Sequence, residues 1–226
     1  MTMNMFEQFM SPELLLIPTA PLSMMIPVMM IHHKPKLLGN RMMTAITLML
    51  KTVMTNMTNQ LSIDGQKWCK ILTSLLAMIL MSNLLGLLPY TFTTTSQLSM
   101  NMAMAIPLWM ATIITGMVKK PSITLAHMLP EGSPTPLIPF MIIIETISLL
   151  MRPLALGVRL TANITAGHLL MTMVSTATLN FISTQVTLSI MTLLLLFLLS
   201  ILELAVACIQ AYVFVLLVIL YLQENT

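Results

Sequence analysis

The chain has 226 residues, 57% hydrophobic and 8% charged, with a mean hydropathy of +0.93. Soluble domains carry about 25% charged residues, so the composition excludes an ordinary soluble domain and predicts an all-α, polytopic membrane protein with a single membrane domain over 1–226. The formal net charge of +3 comes without any basic tract, which argues against nucleic-acid binding.

Residues 14–31 are apolar but contain Pro18, Pro21 and Pro27, and predict a short or kinked first span. After His32, His33, Lys34, Lys36 and Arg41, the stretch 42–61 mixes Met, Leu and Ile with Thr, Asn and Lys51, as an amphipathic helix lying on the membrane surface does. Lys67, Trp68 and Lys70 mark an interface, and 71–88 predicts a second span ended by Pro89. An uncharged, Thr-rich loop over 89–97 leads to a third span, 98–118, ended by Lys119, Lys120 and Pro121. Prolines at 130, 134, 136 and 139 then block helix formation. Two long apolar stretches follow, 138–181 and 188–222. As helices they would reach ~65 Å and ~50 Å, against a hydrocarbon thickness of ~30 Å. They predict a long tilted hairpin turning near Asn180 to Gln185, which brings the count to about five crossings.

The chain has 10 Lys and Arg residues. Six fall in 32–70 and two at Lys119 and Lys120, while the first residues and the loop 89–97 hold none. The positive-inside rule then puts both basic loops on one side and the N-terminus on the other. Methionine occurs 26 times, often where Ile or Leu would serve. Animal mitochondrial codes read an Ile codon as Met, and MTMNMFEQFM has neither transit-peptide nor signal-peptide character. Synthesis inside the organelle fits both features. The expected site is the mitochondrial inner membrane, with the N-terminus in the intermembrane space and the C-terminus in the matrix. Cys69 and Cys208 lack metal-ligand spacing and read as small buried hydrophobes. No metal or cofactor is expected, and no nucleophile triad or phosphate loop suggests covalent catalysis.

Against this apolar background the stretch ETISLLMRPLALGVRLTANITAGHLL stands out, because it holds Glu145, Arg152, Arg159, Asn163 and His168. One Arg at the bilayer centre costs about 2.5–3.5 kcal/mol on insertion scales, so such groups pair, line water, or both. On a helix, Arg152, Ala155, Arg159, Ala162 and Ala166 form one stripe, which leaves Arg159 among small side chains that let another helix come close. His168 lies about 180° round the helix from Arg159 and ~13 Å along it. Glu145 lies ~21 Å from Arg159 on the other side. In the last stretch Glu203 and Gln210 are seven apart, on one stripe. Periodicity alone leaves alternatives open. Arg159 could be half of a fixed ion pair with Glu145 or Glu203, His168 a core histidine, and Glu145 the partner of Arg152.

RPLALGVRLTANITAGHLL resembles the signature helix of subunit a of the F-type ATP synthases, in its animal mitochondrially encoded form. SNLLGLLPYTF, LIPFMIIIETISL and ELAVACIQAYVF resemble the same family. The resemblance implies a proton-conducting stator subunit of the Fo sector with no catalytic chemistry of its own. Its partners would be a ring of proteolipid c-subunits, the peripheral stalk, other Fo membrane subunits, protons and lipid. It implies that Arg159 meets the rotor carboxylate and blocks leakage, since a guanidinium does not give up its proton. Ala155, Ala162 and Ala166 would face the rotor. His168 and Glu203 would form one half-channel, from the intermembrane space, and Glu145 would line the other. Asn163 and Gln210 would hydrogen-bond water near Arg159. A membrane subunit of a respiratory complex or an independent ion transporter is the competing reading, but no Lys lies inside a predicted span and no inverted repeat is evident.

Overall fold

The computed structural model describes residues 9–10, 13–14, 17–31, 41–59, 63–88, 91–119, 121–126 and 137–225. His32, His33, Lys34, Lys36, Lys120, His127, Glu131 and the prolines at 130, 134 and 136 lie outside them. Among the described residues the only strands are the two-residue pieces Glu13–Leu14 (β1) and Ile17–Pro18 (β2), paired antiparallel.

Among the described residues eight α-helices follow: α1 (Thr19–Ile31), α2 (Arg41–Thr58), α3 (Ile63–Gln66), α4 (Cys69–Gly86), α5 (Leu98–Lys119), α6 (Pro121–Ala126), α7 (Ile138–Thr184) and α8 (Val186–Asn225). The fold is that of a polytopic all-α membrane protein. Among the described residues four helices, α4, α5, α7 and α8, are long and apolar enough to cross a bilayer. The apolar α1 has 13 residues, ~20 Å against the ~30 Å of a hydrocarbon layer. It carries two prolines, Pro21 in the first turn, where the missing N–H costs nothing, and Pro27 inside the helix, while Pro18 precedes it in β2.

The two long stretches become single helices of 47 and 40 residues, ~70 Å and ~60 Å long. One residue, Gln185, separates them, and the break is economical. Gln185 N–H still donates to the Phe181 carbonyl at 2.8 Å, and the Gln185 carbonyl accepts from Ser189 N–H at 3.2 Å. Both backbone groups of Gln185 are thus hydrogen-bonded, as an apolar surrounding demands. Pro153 sits inside α7.

These helices are rich in Ser and Thr, whose hydroxyls would be costly in an apolar medium. Many are satisfied within their own helix. Thr165 Oγ1 donates to the Thr161 carbonyl at 2.8 Å, Thr172 to Leu169 at 2.9 Å and Ser175 to Thr172 at 2.9 Å. Such back-bonding lets a helix carry hydroxyls without needing a partner helix.

The chain forms two compact units. One gathers Met1–His33, Ala77–Leu98 and Arg159–Tyr212. Its buried centre includes Ile79, Leu160, Ala207 and Ala211. In it α1 lies against the 3-10 turn Thr94–Ser96. The other gathers Lys34–Leu76, Ser99–Val158 and Val213–Thr226. Met54, Leu72, Leu156, Phe214, Val215 and Leu222 are buried there, and Gly157 lets Met102 come so close that a Cβ would meet its Sδ at 2.5 Å.

Candidate functional site

In the first unit the later part of α7 carries Arg159, Asn163 and His168, and the earlier part of α8 carries Glu203 and Gln210. Arg159 is exposed, and so are Ala162 and Ala166 on its stripe. Ala155, on the part of α7 that belongs to the second unit, is exposed as well. Among the described residues no carboxylate pairs with Arg159, so neither Glu145 nor Glu203 is its fixed counter-ion. Exposure of a guanidinium on a small-residue face leaves it open to a group from outside the chain.

His168 looks the other way, as its spacing from Arg159 requires. Its Nε2 lies 3.9 Å from Glu203 Oε1, with side-chain exposures of 22% and 14%. That separation is too long for a direct hydrogen bond. Both atoms are buried and have no hydrogen-bond partner among the described residues. Two unsatisfied polar atoms thus face each other between two apolar helices.

Gly167 makes the approach possible. A Cβ built on it would lie 2.8 Å from Glu203 Oε1 and 3.2 Å from its carboxyl carbon. Any side chain there would push the carboxylate away. Asn163 and Gln210 are half-buried in the same unit. From α4 comes Asn83, which is 3% exposed. Its Nδ2 donates to the Ala207 carbonyl at 3.3 Å.

Glu145 belongs to the second unit, with Arg152, Tyr221 and Glu224. Arg152 is not its partner. Arg152 Nη1 donates to Glu224 Oε2, and the guanidinium lies 5.0 Å from the centroid of the Tyr221 ring. A cavity of about 530 Å³ opens beside them, lined by Glu145, Arg152, Tyr221, Glu224 and, from α5, Trp109 and Thr112. Among the described residues Glu145 has no ion-pair partner.

Sequence reasoning did not single out Gly167, Asn83, Tyr221 or Glu224. Asn83 had a signal, a lone amide in an apolar helix. Gly167 had none, since its role depends on which residue of α8 faces it.

Fold and site together define a polytopic helical membrane protein whose last two helices carry an exposed arginine on one face and a histidine–glutamate pair on the opposite one. A family profile described as "ATP synthase A chain" matches residues 14–223. The chain is 86% identical to "ATP synthase F(0) complex subunit a" of Lycodon semicarinatus, over 226 residues and the full length of both. It is 57% identical to the protein of that name from Struthio camelus and 52% to that from Scyliorhinus canicula, again over the full length of both chains. The chain belongs to the ATP synthase A chain family.

Proposed function

We propose that the chain is the proton-conducting stator subunit of an ATP synthase Fo sector in the mitochondrial inner membrane, where two half-channels deliver protons to and from carboxylates on a ring of c-subunits. One observation carries this reading. Arg159 stands exposed and without an ion-pair partner among the described residues, on a face of small residues, while His168 and Glu203 meet on the opposite face. A rotor carboxylate passing Arg159 favours its ionised form beside a permanent cation. On leaving, it regains a proton before it faces lipid. His168 and Glu203 supply that proton from the intermembrane space, because an imidazole takes up and releases protons near neutral pH. Glu145 and its cavity serve the matrix side, and Asn163 and Gln210 order water near Arg159. The N-terminus faces the intermembrane space and the C-terminus the matrix. The peripheral stalk and other Fo membrane subunits hold the chain against the ring, which turns while the chain itself makes and breaks no covalent bond.

The test places single cysteines at Ala155, Ala162 and Ala166 with Cys69 and Cys208 replaced by Ser. Cross-links from all three to a ring-forming proteolipid are the expected outcome. A proteolipid that never cross-links, in an assembled complex, overturns the reading.

A further inference from the structure

The cavity of about 530 Å³ in the second unit is lined by residues of α5, α6, α7 and α8. Trp109, Ile113, Met117 and Leu150 give it apolar walls. Its charged groups are Glu145, Arg152 and Glu224. Arg152 is bonded to Glu224, so one of the two carboxylates is neutralised within the chain. Glu145 is half-buried and has no ion-pair partner among the described residues. The lining therefore holds one negative charge in excess, beside an indole and aliphatic walls. A cavity of this volume has the size of a small-molecule site, and apolar walls with a few convergent polar groups are the usual make-up of one. Met117 and Leu150 are also 45% and 58% exposed. The apolar wall thus runs out onto the exposed apolar surface, an entry for a molecule already dissolved in the bilayer.

We propose that this cavity is a binding site for a small monocationic amphiphile, an apolar ring carrying one protonated amine, whose ammonium group pairs with Glu145 while the ring lies against Trp109 and Ile113. Charge decides the class. An anion would meet an excess of negative charge, and the one cation of the lining is already engaged by Glu224. A neutral apolar molecule would fill the walls but leave Glu145 without a partner in a desolvated pocket, where a lone carboxylate is costly. A dication would meet a single unengaged carboxylate. A monocation balances the lining, and an indole in the wall suits both its ring and its charge. The site stands on the lining residues alone. Its effect on proton movement rests on the reading that Glu145 serves the matrix-side path: an ammonium on Glu145 takes the place of the proton that path would carry.

The probe is a dimethylbenzylamine with a trifluoromethyl diazirine on its ring, photolysed with the assembled complex in liposomes, and the labelled peptides are located by mass spectrometry. The benzyl alcohol bearing the same diazirine is the neutral control, and the benzoate is the anionic one. The expected result is saturable labelling of α5 and α7 at the cavity, displaced by plain dimethylbenzylamine. It should exceed either control about tenfold, the scale of one charge-assisted hydrogen bond. Glu145→Gln should lower amine labelling about tenfold, whereas Glu145→Asp, which keeps the charge, should retain most of it. Arg152→Gln should raise it, because Glu224 then loses its counter-ion. Labelling is read per assembled complex, so a variant that assembles less well still reports on the site. Equal labelling by amine and alcohol overturns the inference and makes the cavity a crevice for lipid. So does labelling that Glu145→Gln leaves unchanged, an equal loss in Glu145→Asp, or a fall in Arg152→Gln. Excess probe is then washed out and proton flux per complex is measured. Flux that falls with the labelled fraction supports both the site and the matrix-side reading. Full labelling with flux intact overturns the matrix-side reading of Glu145 and leaves the site standing.

Discussion

Arg159 and Gly167 show two kinds of side-chain specification. For Arg159 the burden is electrostatic. Arg159→Ala is expected to abolish coupled synthesis and pumping while the complex still assembles, measured as ATP synthesis and complex yield separately. Arg159→Lys should rescue poorly, since an ammonium gives up its proton when desolvated and lacks the planar fork. Were Arg159 a structural ion-pair partner, its loss would strand a buried carboxylate at about 3–5 kcal/mol, and yield would fall instead. For Gly167 the burden is space. Gly167→Ala puts a methyl group where Glu203 Oε1 lies 2.8 Å away, so the carboxylate must swing off His168. Proton flux should drop several-fold with the helix intact, because Ala favours a helix over Gly by about 1 kcal/mol. The arginine was legible in the sequence because a charge in an apolar run announces itself. The glycine was not, because helical spacing says which residues share a face but not what lies across from them.

At the scale of elements the two long helices were readable from apolar length, and the hairpin turn from the polar stretch around Asn180 to Gln185. The ends were less so: α7 runs on to Thr184 and α8 begins at Val186, because a helix keeps its ladder for as long as the i→i−4 partners are in reach. The partner of Arg152 also escaped the sequence. Glu145, seven residues away, is near on the same helix, but the guanidinium turns to Glu224, 72 residues on, a neighbour that only the register of the hairpin brings in. This pair is half-open to its surroundings, with side-chain exposures of 28% and 56%, so its worth is discounted to about 1 kcal/mol or less. Stacking on Tyr221 adds about 0.5–1 kcal/mol. Arg152→Ala should therefore destabilise more than Glu224→Gln, by the stacking contribution. Thermal denaturation in detergent measures both. The exchange Arg152→Glu with Glu224→Arg should recover the pair but not the stacking.

For the molecule as a whole, exposed apolar surface is the dominant feature. Leu193, Leu194, Phe197, Leu198 and Ile201 along α8 are all more than half exposed, a surface that water would not tolerate and that lipid or apolar partners cover. The proposed orientation makes its own prediction. With Cys69 and Cys208 replaced, Thr91→Cys should react with a membrane-impermeant thiol reagent added from the intermembrane side. Reaction from the matrix side alone would reverse the orientation. The single-residue join at Gln185 has a mechanical consequence. Two helices linked through a loop can slide and hinge, and absorb a sideways push in slack. Here the ladder of backbone bonds runs through the join, from Phe181 to Gln185 and on to Ser189. The later part of α7 and the earlier part of α8 therefore make a stiff fork with almost no play at its root. A lateral load on the exposed face of one prong is met by both, and the gap between His168 and Glu203 keeps its width while the load is applied.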